Sequence, residues 1–454
     1  MMRSYSLSEL AKVCDAELLG EDHQVSKITT DSRKAGPDAL FVALKGERFD
    51  AHQFVSQVAE AGAAGALVSE EQSCSISQIK VKDRLVALGK LGHYNRQQYS
   101  GALVAVTGSA GKTSVKEMLA LMFSSIAPTL ATKGNLNNEI GAPLTLLELS
   151  PEHQYAVIEL GASGLGEIAR TVAMAEPDVA ILNNAMAAHV EGFGSLANIV
   201  QAKAEIYEGL KESGVGIVNL DDPHSSVWSR RLNQLKRKTL TFGVHPSADV
   251  RADSIVARED GCFNFRLCVQ GRAYSTSLNV MGRHMISNAL AAVAAWVALG
   301  LEPQDALKPL SEYRGFKGRL QLHQIGDQLQ VVDDSYNANP GSMRAAIDVL
   351  MSLPGPHTLV IGAMAELGHD EQDEHRQLGK YAAKAGVERI IATGELMRHC
   401  VDAAVQQGAQ AEFFESHQEL LQALDGVKHG AVLVKGSRST GMDKIVTALL
   451  DRDV

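Results

Sequence analysis

The stretch from Leu103 to Met122, LVAVTGSAGKTSVKEMLALM, leaves this chain little choice in how it folds locally. Small and β-branched apolar residues lead into Thr107-Gly108-Ser109-Ala110-Gly111-Lys112-Thr113-Ser114. Val115, Met118, Leu119 and Met122 then take the i, i+3, i+4, i+7 spacing of a helix. The order is strand, tight turn, helix. Gly108 and Gly111 let the backbone curl so that successive N–H groups face inward, and the helix start adds its own unpaired N–H groups and the positive end of its dipole. A phosphate chain suits such a concavity. Lys112 can reach terminal phosphates as a point charge, and the Thr113 hydroxyl is placed for Mg²⁺. The general phosphate-loop pattern asks for a further glycine where this chain has Val106. The plainer reading, a glycine-rich turn ahead of an ordinary helix, leaves the Gly-Lys-Thr run unexplained.

A chain of 454 residues is too long for one core, so several domains are expected. Its 45% apolar and 21% charged residues describe a water-soluble globular protein. A net charge of -10 without a basic stripe, and only 5% aromatics, exclude a nucleic-acid binder. Five scattered cysteines (14, 74, 262, 268 and 400) have neither CxxC nor metal-ligand spacing and read as reduced cytosolic thiols. The segment MMRSYSLSELAKV lacks the apolar core of a signal peptide, and the run from Ala289 to Leu301 is too short to cross a membrane. A cytoplasmic location without a membrane span is expected.

The chain reads as α/β throughout, in three domains. Residues 1–82 form a small N-terminal α/β domain, opening with a helix from Ser6 to Val13 for which Ser8 is a candidate cap. Its polar loops, Thr30 to Arg33 and Lys45 to His52, are either solvated or hold a polar ligand. Over residues 83–315, LVAVT, AVIEL, VAILNN and VGIVNL alternate with helical stretches, the pattern of a central parallel sheet covered on both faces, of the P-loop ATPase kind. Ligands of such sheets sit beyond the carboxyl ends of the strands. Glu159 ends one strand and suits a Mg²⁺ ligand or a water orienter. Asp221-Asp222 end another, as caps or as ligands. His189 falls in a loop, and Lys203 falls on a mostly apolar helix from Asn198 to Leu210. There the lysine either snorkels to water or, desolvated, becomes a free amine open to carboxylation by CO₂. Residues 250–280 alternate as an antiparallel hairpin region, followed by a helix with Asn288 near its start. Over 316–454, QVVDD, HTLVIGA, RIIAT and AVLVKGS mark a second doubly wound, Rossmann-like sheet. The turn Lys435-Gly436-Ser437-Arg438 is either a cationic cradle for a carboxylate or phosphate, or a plain exposed turn.

Taken together and in this order, these motifs resemble the Mur ligase family over essentially the whole chain. That family also lacks the first phosphate-loop glycine. Gly134-Asn135-Leu136-Asn137-Asn138-Glu139-Ile140-Gly141-Ala142-Pro143-Leu144-Thr145 is close to the asparagine-rich signature of one branch, and Ala188 to Ser195, Asp333 to Pro340 and Val434 to Arg438 point the same way. The resemblance implies ATP-dependent amide formation. D-alanyl-D-alanine would be joined to UDP-MurNAc-tripeptide through an acyl phosphate, by a monomer using two Mg²⁺ ions. It also implies residue roles. Gly108, Ser109, Ala110, Gly111, Lys112, Thr113 and Ser114 would hold the ATP phosphates. Thr113, Glu159, His189 and a carbamylated Lys203 would be metal ligands. Asn288 would lie near the adenine, Asp334 at the ribose and Arg319 at the γ-phosphate. Ser32, Arg33 and Lys45 would take the uridine diphosphate end. Asn135, Asn137, Asn138, Asn337, Lys435, Ser437 and Arg438 would contact the remaining substrate groups, with residues 316–454 receiving D-alanyl-D-alanine and closing on ATP. Folylpolyglutamate synthase and the ligase adding the third amino acid are rivals within the family, and a nucleotide-dependent switch is a rival outside it.

Overall fold

The computed structural model describes residues 2–46, 49–188 and 190–452. Its framework is three sheets in chain order, each mainly parallel, with a further two-stranded pair near the start. The first sheet has five strands; Lys27–Thr29, Ala39–Val42, Gly65–Val68 and Gln78–Lys80 run parallel, and Glu17–Leu19 pairs antiparallel at the edge. The opening helix, Leu7–Val13, is capped by Ser6, whose hydroxyl accepts from the Glu9 amide, and not by Ser8, which donates to Asp22 instead. The helix Arg84–Gln97 sends Ala87, Leu88 and Leu91 into the first core while packing against the helix Gly141–Leu147. It is the joint between the first two sheets.

The second sheet has nine strands, and its order places the phosphate loop. The strand Ala102–Thr107 lies between Tyr155–Glu159 on one side and Val179–Leu182 on the other, all parallel. Chain connections depart in opposite directions at this strand, so a crevice opens beyond its carboxyl end. Alternation along it explains why it is central. Leu103 and Ala105 face one apolar cluster, Val104 and Val106 the other, and all four are fully buried. The antiparallel strands Val250–Ala257, Phe263–Val269 and Arg272–Leu278 extend this sheet, as the alternation predicts. The alanine-rich run becomes the buried helix His284–Ala298, and no helix among the described residues is long and apolar enough to cross a membrane.

The third sheet repeats the device. Gly430–Lys435 is inserted between Leu329–Asp334 and His357–Gly362, all parallel, so the last strand of the chain sits at the centre. Asp334 and Lys435 are register partners at the carboxyl end. The mixed α/β architecture is thus the one the sequence predicts.

Candidate active site

The site begins with two glycines that no other residue could replace without strain. Gly111 has φ +77°, and a Cβ there would meet Asn288 Oδ1 at 2.4 Å and Asn183 Nδ2 at 2.5 Å. Gly108 has φ +155° and lies against Asn183 and Asn184. The helix Lys112–Ser124 starts from Gly111 with no side-chain cap, which leaves its first N–H groups for an anion. The loop is held from behind by residues that the motif does not reveal. Asn184 Oδ1 accepts from the Ala110 amide at 2.9 Å, and Asn183 Nδ2 donates to the Ala110 carbonyl at 3.0 Å and to Asn288 Oδ1 at 2.9 Å. Ser109 donates to the Met186 carbonyl at 2.9 Å. Asn183 and Asn184 are visible in the sequence only as the end of VAILNN. Their position just past a strand that pairs with Ala102–Thr107 is the signal that could have found them.

Two lysines and one carboxylate lie in and beside this loop. Lys112 Nζ donates to the Gly108 carbonyl at 2.6 Å, and burial lowers its pKa, with a smaller opposing effect from Glu159. Glu159 is register partner to Val106 and almost fully buried. Its Oε1 accepts from Asn137 Nδ2 at 2.8 Å, while its Oε2 is buried with no hydrogen-bond partner among the described residues. A buried carboxylate oxygen with no donor is a place for a cation. Lys203 lies on the helix Leu196–Ala204, shorter than the periodicity suggests because a 3₁₀ turn follows at Glu205–Tyr207. It does not snorkel: it is 1% exposed, with Nζ 3.4 Å from the Ala162 carbonyl and 5.1 Å from the Phe193 ring centroid. Burial, and then the charge of Lys112, push its pKa down to about 7, which favours the free amine. His189 lies outside the described residues. Among those described, no three His, Cys, Asp or Glu side chains gather as a metal site.

The third sheet closes the site from the far side. One cavity of about 500 Å³ is lined by Ser109 to Thr113 of the loop together with Arg319, Asn337, Ser437 and Arg438. A neighbouring cavity of about 220 Å³ joins Gly111, Ser114, Asn288 and Arg319 to Asp334 and Lys435. Lys435 is not part of an exposed cationic turn. It is buried, its ammonium lies 2.7 Å from Asp334 Oδ2 and 2.7 Å from the Asn337 carbonyl, and it faces the smaller cavity. Arg438 is the exposed cation of that turn, 3.7 Å from Asp443. Ser437 donates to the Ala363 carbonyl at 2.7 Å.

The remaining predicted residues disperse. Asn138 spends its side-chain oxygen on the amides of Ile140 and Gly141 at the start of the helix Gly141–Leu147, and Asn135 is exposed beside it. Asp221 and Asp222 act as turn acceptors, taking the amides of Val244 and His245 and of Ala185 and His224. Ser32, Arg33 and Lys45 line neither cavity. Arg33 forms a two-point pair with Asp31, both contacts at 2.9 Å, which holds that carboxyl down at about 2.

Comparison with known proteins places this geometry. Residues 24–96 match the Mur ligase family, catalytic domain; residues 106–296 the Mur ligase middle domain; and residues 318–438 the Mur ligase, glutamate ligase domain. The chain is 44% identical over 453 residues, 99% of each chain, to UDP-N-acetylmuramoyl-tripeptide--D-alanyl-D-alanine ligase of Escherichia coli (strain K12). The chain belongs to the Mur ligase family. A protein of the same name in Bacillus subtilis (strain 168) is 33% identical over 98% of each chain. Among solved Mur ligases, crystal structure I of MurF from Acinetobacter baumannii superposes with a TM-score of 0.93 at 37% identity, covering 99% of this chain and 100% of that one. MurF ligase from Thermotoga maritima, solved in complex with ADP, superposes with a TM-score of 0.82 at 25% identity, covering 93% and 96%. The family is one of ATP-dependent ligases.

Proposed function

We propose that this chain is the cytoplasmic, monomeric ligase that joins D-alanyl-D-alanine to UDP-MurNAc-tripeptide with cleavage of ATP to ADP and phosphate. The observation that carries the reading is the larger cavity, which the phosphate loop and the polar turns of the third sheet line together. Residues 1–82 would hold the uridine diphosphate end through Ser32, Arg33 and Lys45. Residues 83–315 would hold ATP, and residues 316–454 would receive the dipeptide. Full-length similarity to relatives bearing this ligase name supports the choice of substrates.

In the first step the terminal carboxylate of the tripeptide attacks the γ-phosphorus and ADP leaves. In the second the free amine of D-alanyl-D-alanine attacks the acyl carbon, phosphate leaves and the amine loses a proton. Phosphoryl transfer asks for positioning and charge neutralisation more than covalent help. Lys112, the loop amides and Arg319 would supply these around the γ-phosphate, with Asn288 at the adenine and Asp334 at the ribose. Lys435 would keep Asp334 oriented by their ion pair, and Arg438, Ser437 and Asn337 would face the acceptor. Asn137 would orient Glu159, and Asn135 and Asn138 would shape the tripeptide side. Mg²⁺, held by Thr113 and Glu159 and at a second site by His189 and carbamylated Lys203, would neutralise the phosphate oxygens. The unpartnered oxygen of Glu159 and the low pKa of Lys203 fit those ligand roles. Closure of the third sheet over ATP would exclude water from the acyl phosphate.

Phosphate release from ATP, with each substrate supplied and omitted, tests the reading. Release that needs both, with a product heavier by one dipeptide unit in mass spectrometry, supports it. Release indifferent to both points instead to a nucleotide-dependent switch.

A further inference from the structure

One residue of the Asp333 to Pro340 stretch is left without a task by the reaction above. Tyr336 is half-buried at the rim of the third sheet, and two guanidinium groups lie over its ring: Arg319 with its central carbon 4.3 Å from the centroid and Arg438 at 5.5 Å. Both arginines line the cavity that contains Lys112. They arrive from distant parts of the chain, Arg319 just before the strand Gln321–Ile325 and Arg438 just after Gly430–Lys435.

The backbone fastens the same pair of turns. The Tyr336 amide donates to the Gly318 carbonyl at 3.2 Å, and the Gly318 amide donates to Asp333 Oδ2 at 3.0 Å. Gly318 has φ +72°, and a Cβ there would stand 3.0 Å from Tyr336 Cβ. The turn carrying Arg319 is therefore set directly against the tyrosine. An arginine free in water has many rotamers, and fixing it at each turnover costs free energy. Stacking on an aromatic face restrains the guanidinium plane without using any of its five N–H donors. Two guanidinium groups sharing one ring also repel each other, and an anion in the cavity offsets that repulsion.

We propose that Tyr336 is a positioning residue that aims Arg319 at the γ-phosphate and couples it to Arg438 on the acceptor side. The proposal rests on the reading that Arg319 meets the γ-phosphate. Removing the ring should loosen both arginines at once, whereas removing the hydroxyl should not.

The test measures two things on the full chain. The first is the ratio of Kd for ADP to Kd for the β,γ-imido analogue of ATP, with Mg²⁺ and no acceptor. The second is steady-state phosphate release with UDP-MurNAc-tripeptide and D-alanyl-D-alanine. Tyr336→Leu is expected to shrink the ratio toward that of Arg319→Ala, lower kcat on the order of tenfold and raise KM for the dipeptide. Tyr336→Phe is expected to restore all three, and in the Arg319→Ala background Tyr336→Leu should not change the ratio further. A leucine variant with wild-type ratio and kcat overturns the proposal, as does a phenylalanine variant as impaired as leucine. If the leucine variant fails to fold, Tyr336→Met carries the same expectation. Loss of the ligase reading would show separately, as wild-type turnover indifferent to the dipeptide, while the nucleotide ratio still tests Tyr336.

Discussion

Two buried lysines at the ends of parallel strands or their helices, Lys203 beside the second sheet and Lys435 in the third, meet the same desolvation and resolve it differently. Lys435 has a carboxylate at 2.7 Å and a carbonyl at 2.7 Å. Lys203 has a carbonyl at 3.4 Å and a ring face at 5.1 Å. In both, burial is the largest cause of a lowered pKa; at Lys435 the hydrogen-bonded Asp334 is the next in size and opposes it, while at Lys203 the charge of Lys112 comes next and adds to it, ahead of the opposing charges of Glu167 and Glu205. A buried charge with its partner built into the fold is a structural element. A buried amine without one is a site waiting for a reagent or a ligand.

The comparison breaks most visibly at the loop both sheets face. Lys112→Met keeps the aliphatic stem and removes the charge proposed to meet phosphate, and kcat for phosphate release should fall on the order of a thousandfold with the fold intact by circular dichroism. Next in size is Lys203→Ala, for which a loss on the order of a hundredfold is expected. Short carboxylic acids added to the assay should return part of that activity by supplying the missing oxygen ligand. Full activity in the unrescued variant would refute the carbamate.

Stability sharpens the contrast because the two lysines should respond with opposite sign. Lys435→Met leaves Asp334 buried without its cation and should cost about 3 kcal/mol in denaturant unfolding. Lys203→Met removes a buried amine with no carboxylate bonded to it among the described residues and fills its place with an apolar chain of similar length, so it should be neutral or stabilising by about 1 kcal/mol while lowering turnover about as much as Lys203→Ala. Equal destabilisation by both would erase the distinction drawn between them.

How far each region could be read in advance follows the same division. The strand, tight turn and helix around Lys112 were legible because their pattern is contiguous: two glycines, a lysine and a threonine lie within a turn and the first turn of a helix. The parallel sheets were legible because a strand buried on both faces leaves an unbroken apolar run, as at Val104 to Val106. The turn at Lys435 stayed open between a cationic cradle and a plain exposed turn because its partner Asp334 is 101 residues away, brought alongside by the late insertion of the last strand into the sheet. Asn183 and Asn184 were missed for a like reason, since their partner Ala110 lies 73 and 74 residues back. At Asn138 a local use was not foreseen: its side-chain oxygen accepts from the amides of Ile140 and Gly141 at the start of a helix.

The first sheet supplies the mildest contrast. Arg33 is an exposed cation already paired with Asp31, so whatever it offers the uridine diphosphate end is shared with a carboxylate and screened by water. Arg33→Ala should therefore raise KM for UDP-MurNAc-tripeptide only about fivefold, leaving kcat and the KM for ATP unchanged. The pH dependence follows from the pair. Asp31 has its pKa lowered to about 2 from 3.8, so any contribution of the pair to stability is fully present above about pH 4 and is lost as pH falls through about 2. Across the neutral range the Arg33→Ala effect on KM should thus stay constant with pH and shrink as salt rises. A hundredfold rise in KM, or one that tracks pH near neutrality, would mean that Arg33 leaves Asp31 for the substrate and that the first sheet rearranges on binding.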